Sequence, residues 1–197
     1  MTTKLVVGLG NPGPEYAKTR HNVGFWAIDS LCERLGFGDF DRMAKTKFNG
    51  LIADTTVDTA GGMCKLLLLK PMTYMNRSGD AVGAALRFYK LEPADLVVVV
   101  DEMQIPTGRI KLGAEGSHGG HNGLRDIQAK LGTKAYPRLR IGVDRPPAGF
   151  VQSDYVLGKP TKEQKAAMDE AVVKAAAACV SWADVGLEKT MSVYNAK

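Results

Sequence analysis

The chain has 197 residues, 45% of them hydrophobic and 24% charged, with a formal net charge of +5 and a sequence pI near 9.1. This length supplies one well-buried core but is short for two, so residues 1–197 are expected to fold as a single domain, and the composition excludes a disordered or fibrous chain. The longest apolar runs, residues 66–69 and 96–100, fall far below the roughly 20 residues of a membrane span, and the N-terminus lacks the h-region and cleavage site of a signal peptide, so a cytoplasmic protein without membrane contact is expected.

In chain order, Leu5-Val6-Val7-Gly8-Leu9 has the pattern of a strand buried on both faces. A loop follows. Residues 22–35 read as a helix with Val23, Ala27 and Leu31 on one stripe and Gly36 as its stop. Residues 51–57 and 64–70 read as strands joined through Asp58-Thr59-Ala60-Gly61-Gly62, an antiparallel hairpin. Ser78 is expected to cap a helix running to about Tyr89, with Pro93 beyond its end. Residues 96–100 are expected to form a central strand and residues 109–113 a further strand. A glycine-rich loop precedes a short helix at 123–131, with Asn122 as the expected cap and Gly132 as the stop. Residues 139–143 are the next strand. Thr161 with Gln164 makes a capping box for a long alanine-rich helix, and a helical turn is expected after Gly186. The alternation predicts an α/β fold, a single-domain three-layer sandwich with a mixed, mostly parallel twisted sheet flanked by helices. Its ligand site is expected where loops leave the carboxyl ends of the strands.

Several constellations could carry chemistry. Gly8-Leu9-Gly10-Asn11-Pro12-Gly13 satisfies GxGxxG after a strand, but Pro12, Pro14 and the charged stretch to Arg20 delay the helix that would receive a pyrophosphate. A tight turn bringing the Asn11 amide to the strand's end is the better reading. Asp101 ends the four-valine strand, where a sheet can deliver a fixed carboxylate to a cleft. There it could bond one nitrogen of His21, set its tautomer and leave the other nitrogen as a base; the bland alternative is that Asp101 caps a turn. His118 and His121 are three residues apart, but no third ligand is evident, so no metal site is assigned. Asn76 follows Pro71 in a loop at a strand end, with Met75 as core filler. Cys32, Cys64 and Cys179 lack CxxC spacing and read as buried thiols. Residues 105–145 carry eight Lys/Arg against three acids, which points weakly to an anionic partner.

Together these residues resemble the bacterial peptidyl-tRNA hydrolase family along nearly the whole chain. The resemblance rests on Val7-Gly8-Leu9-Gly10-Asn11-Pro12-Gly13, Thr19-Arg20-His21-Asn22-Val23-Gly24, Lys70-Pro71 through Gly79, Asp101-Glu102, Gly119-Gly120-His121-Asn122-Gly123-Leu124, Arg138-Leu139-Arg140-Ile141-Gly142 and Tyr155-Val156-Leu157-Gly158. It implies a monomeric enzyme that hydrolyses the ester between a peptide, or N-acyl amino acid, and the 3′-terminal ribose of tRNA, recycling peptidyl-tRNA released from ribosomes, with no cofactor and no metal. By the same resemblance His21 is the catalytic base, Asp101 the acid orienting it, and Asn11 completes the catalytic set. Tyr16, Tyr74, Met75, Asn76, His121 and Asn122 would bind the peptide and the CCA end, and Lys111 with Arg140 the acceptor stem's phosphate. The alternatives are a non-catalytic RNA-binding relative of the same fold and a nucleotide-binding Rossmann-like enzyme. The chain departs from the family pattern at Gln104, where a second aspartate is common, at Asp144, where glycine is usual, and around Ala114-Glu115-Gly116.

Overall fold

A computed structural model describes residues 1–196. The elements are β1 (Thr2–Gly8), α1 (Val23–Arg34), α2 (Phe40–Met43), β2 (Lys45–Lys47), β3 (Gly50–Thr59), β4 (Gly62–Pro71), α3 (Ser78–Tyr89), β5 (Leu96–Glu102), β6 (Ile110–Gly113), α4 (Asn122–Leu131), β7 (Arg138–Gly142), α5 (Gln152–Val156), α6 (Lys162–Val185) and α7 (Leu187–Tyr194). The seven strands form one sheet in the order β2-β3-β4-β1-β5-β7-β6. Its centre, β4-β1-β5-β7, is parallel, while β2–β3, β3–β4 and β6–β7 pair antiparallel.

The unbroken apolar runs follow from this topology. Successive side chains of a strand point to opposite faces, so a strand covered on both sides needs apolar residues at every position. Val6, Leu66, Leu68, Val97 and Val99 pack on one face with α1 and α6, while Leu5, Val7, Leu67, Leu69, Val98 and Val100 pack on the other with α3 and α4. Each such side chain, taken from water, contributes about 1.5 to 3 kcal/mol. The alanine stripe of α6, Ala171, Ala175, Ala176 and Ala178, is buried in the first cluster, with Trp182 on the same helix. Cys32, Cys64 and Cys179 are free, buried thiols as expected, and complete burial pushes that of Cys179 up to about 12.

Glycines let α1 sit directly on the sheet. A Cβ on Gly8 would lie 2.1 Å from the Gly24 carbonyl oxygen, and one on Gly24 would lie 2.4 Å from the Leu9 amide nitrogen and 2.5 Å from the Val99 carbonyl oxygen. The glycine of the β1 motif is therefore set by backbone contact between helix and strand, which brings the start of α1 to the ends of β1 and β5.

Two expected caps differ. Ser78 is the first residue of α3 and donates its hydroxyl to the Met75 carbonyl at 2.8 Å, so it closes the preceding turn and does not cap the helix. The cap of α4 is His121, whose Nδ1 accepts from the Leu124 amide, and Asn122 is the first helical residue. Three elements, α2, β2 and α5, have no counterpart in the sequence reading, because runs of three to five residues carry no measurable periodicity.

Candidate active site

The loops leaving β1, β4 and β5 meet the N-terminus of α4 and the segment around α5 at a cavity of about 410 Å³. Asn11, His21, Tyr74, Met75, Asn76, Asp101, His121 and Asn122 line it, with Glu102, Met103 and His118 and with Gln152, Ser153, Val156 and Leu157 from α5 and its end.

At its floor, the His21 Nδ1 lies 2.8 Å from Asp101 Oδ1, and the His121 Nε2 lies 3.1 Å from the same oxygen. Hydrogen-bond partners assign the tautomers. His121 Nδ1 accepts from the Leu124 amide, so the ring's proton sits on Nε2 and is donated to Asp101. His21 Nδ1 likewise faces an ionised acceptor, which places its proton on Nδ1 and frees Nε2 as a lone pair. The imidazole rings are 4.9 Å apart. Burial of Asp101 opposes its charge, but the two imidazoles override that cost and hold its carboxyl far below the usual carboxylate range. Burial likewise opposes protonation of His21, and the attraction of Asp101 outweighs it, so the His21 pKa is raised above 6.5.

Asn11 is held rigidly beside this pair. Its backbone N–H donates to Asn22 Oδ1 and its carbonyl accepts from Asn22 Nδ2, both at 2.9 Å. The Asn11 Oδ1 in turn accepts from the Met75 amide at 2.8 Å. The side-chain oxygen is thereby committed, and the Asn11 amide NH₂ is the end left to donate into the cavity. Arg20 fixes the other wall: its guanidinium stacks 4.1 Å from the Tyr155 ring centroid and donates to the Tyr155 carbonyl at 3.0 Å and to Gln164 Oε1 at 2.7 Å.

A family model described as peptidyl-tRNA hydrolase matches residues 5–197. The peptidyl-tRNA hydrolase of Desulfitobacterium hafniense is 45% identical over 192 residues, covering 98% of this chain and 99% of that protein. That of Neisseria meningitidis is 49% identical over 173 residues, covering 88% and 86%. This chain belongs to the peptidyl-tRNA hydrolase family. The fold agrees: the crystal structure of peptidyl-tRNA hydrolase from Acinetobacter baumannii superimposes with a TM-score of 0.88 at 37% identity, covering 98% of this chain and 95% of that one.

Within this peptidyl-tRNA hydrolase fold, the residues expected from sequence fall into three places. Eight of them, from Asn11 to Asn122, share the cavity. Tyr16 stands behind Tyr74, edge to face at 6.4 Å between centroids. Lys111 and Arg140 lie outside the cavity as directly paired residues of β6 and β7, so their side chains share one face of the sheet. Like charges so placed repel, and Glu102, 3.4 Å from Arg140 Nε, answers only one of them. An anion shared by both would relieve the repulsion.

Three features were not legible. His121 was paired in the sequence with His118, but it joins Asp101 and His21, while His118 Nδ1 accepts from the Gly120 amide at 3.0 Å. The ligand atoms of His21, Asp101 and His121 lie within 4.8 Å of one another. A cation there would displace the protons that both rings share with Asp101. Arg138, counted in the basic segment, is fully buried and unavailable to an outside phosphate: it stacks on Tyr136 and donates to the carbonyls of Gly116, Ser117 and Lys134. Asn22 and Arg20, which position Asn11 and α5, stood in a recognised motif but without an assigned task.

Proposed function

We propose that this chain hydrolyses the ester joining a peptide or N-acyl amino acid to the 3′-terminal ribose of tRNA. The observation that carries the reading is the buried His21–Asp101 pair opening onto an amide-lined cavity. In this reading His21 Nε2 takes a proton from water as the water attacks the ester carbonyl, Asp101 steadies the imidazolium, and the proton passes to the departing ribose oxygen. The Asn11 NH₂ donates to the carbonyl oxygen as negative charge develops on it, and being neutral it adds no charge that would shift His21. Tyr74, Met75, Asn76, His121 and Asn122 bind the peptide and the CCA end, with Tyr16 backing Tyr74. Lys111 and Arg140 hold a phosphate of the acceptor stem. In this reading the enzyme is a cytoplasmic monomer that works without metal or cofactor. An intact base and acid in one cavity favour hydrolysis over a non-catalytic RNA-binding role.

Two measurements test this. His21→Ala should lose on the order of 10² to 10⁴ in turnover of N-acetyl-aminoacyl-tRNA, the usual size of general-base catalysis, while still binding tRNA. The wild type should also cleave N-acetyl-aminoacyl-tRNA far faster than the same tRNA carrying a free α-amine, whose ammonium must be desolvated and which lacks the acyl carbonyl. Equal kcat/KM for the two would reduce the activity to that of a generic aminoacyl esterase.

A further inference from the structure

The β5–β6 connection and the chain leaving β7 are tied together beside the cavity. The Val143 amide donates to the Glu102 carbonyl at 3.1 Å and the Asp144 amide to the Ile105 carbonyl at 3.2 Å. The Asp144 carboxylate accepts from the Thr107 amide at 3.1 Å and from its hydroxyl at 2.6 Å. Next to it the Arg145 guanidinium donates to the Gln104 side chain. Asp144 and Arg145 on one side, and Thr107 and Gln104 on the other, thus face each other across the same junction.

The backbone explains why position 144 is special. Asp144 has φ +64, in the left-handed region where glycine is at ease and where aspartate is among the few other residues tolerated. Its carboxylate anchors this turn across the junction to Thr107. From there residues 147–151 run exposed to α5. The far end of this strap is pinned by Arg20 on the Tyr155 carbonyl and by the Tyr155 hydroxyl, which donates to the Val143 carbonyl at 2.7 Å. Both tied loops line the cavity, one through Glu102 and Met103, the other through Gln152 and Ser153. Asp144 itself does not line it.

We propose that Asp144 is a positioning residue: by clasping Thr107, with Gln104–Arg145 beside it, it fixes the α5 wall at the width that receives substrate, and so governs affinity and not the chemical step. The inference rests on the cavity being the substrate groove. A wall that must be ordered on binding subtracts its ordering cost from affinity, whereas one ordered beforehand does not. The His21–Asp101 hydrogen bond itself does not pass through Asp144 or Thr107.

The test is steady-state hydrolysis of N-acetyl-aminoacyl-tRNA by Asp144→Gly, Asp144→Asn, Thr107→Val and Thr107→Ser, with the wild type and His21→Ala alongside. Asp144→Gly and Thr107→Val should raise KM about threefold to tenfold, the worth of one or two hydrogen bonds, with kcat within about twofold. Asp144→Asn and Thr107→Ser, which keep acceptor and hydroxyl, should restore most of the affinity. An unchanged KM in both disrupting variants overturns the proposal, as does a fall in kcat at constant KM, or a rise in the conservative variants equal to that in the disrupting ones. Should Asp144→Gly melt below the assay temperature, Thr107→Val, whose change is isosteric and local, decides alone. Full activity in His21→Ala would instead overturn the assignment of the groove.

Discussion

Replacing Asp101 by asparagine should move the pH dependence and the plateau of the reaction in separable ways. In the proposed reaction His21 must be neutral to accept a proton, so kcat/KM should rise with pH through its pKa. In the wild type that pKa lies above 6.5, because the Asp101 charge and hydrogen bond outweigh a desolvation that alone would lower it. In Asp101→Asn the raising contributions vanish and burial remains, so the acidic limb should fall below 6.5. At pH 6 the variant should therefore keep a larger fraction of its own plateau than the wild type keeps of its own. The plateau should drop on the order of 10² to 10⁴, since the asparagine amide can donate to Nδ1 and thereby turn the proton-bearing nitrogen toward water. Initial rates on N-acetyl-aminoacyl-tRNA between about pH 5 and 8.5 give both quantities. A limb that stays in place or moves up, or a plateau equal to the wild type's, would refute the coupling of Asp101 to His21. Stability supplies an independent sign. The depressed folded-state pKa of Asp101 stabilises the wild type above the unfolded value of 3.8 and loses that contribution as pH falls below it. This acid-sensitive part of the melting curve should be absent in the variant.

Three further outcomes follow from the geometry. Activity should survive exhaustive chelation, because His21 and His121 both share protons with Asp101; loss with EDTA that zinc restores would contradict that arrangement. Lys111→Ala and Arg140→Ala should each weaken tRNA binding and reduce the slope of log K against log salt by about one, and an unchanged slope in both would move the phosphate path elsewhere. Gly24→Ala should cost about 3 kcal/mol or more, because its Cβ would fall 2.4–2.5 Å from backbone atoms of Leu9 and Val99; near-native thermal stability would mean that helix and strand can separate freely.

Much of the site was legible because one rule governs it. A strand buried on both faces announces itself by its apolar run, and what stands just after the run is delivered to the sheet's carboxyl edge: Asn11 after β1, Asn76 after β4, Asp101 at the end of β5. What remained hidden depends on contacts that no local spacing encodes. His121 reaches Asp101 across 20 residues, while its neighbour His118 offers the more obvious partner. Arg138 gives the same charge count whether it faces solvent or, as here, three backbone carbonyls. The task of Gly24 is invisible until Leu9 and Val99 are laid against it. The segment at 152–156 is too short to signal a helix, and its position is fixed from outside, by Arg20 at the other end of the chain.

The placement of β1 also determines when the protein can first work. The earliest strand in the chain lies between β4 and β5, pairing Val6 with Leu68 and with Val97. A growing polypeptide therefore carries an apolar N-terminal segment with no partner until some sixty to ninety later residues have left the ribosome. Asn11 and His21 come into position only once those partners arrive, and the wall held by Arg20 only once Tyr155 does. No N-terminal fragment ending before Tyr155 should be active, and on refolding the return of turnover should wait for the parallel centre of the sheet, a slow and long-range assembly.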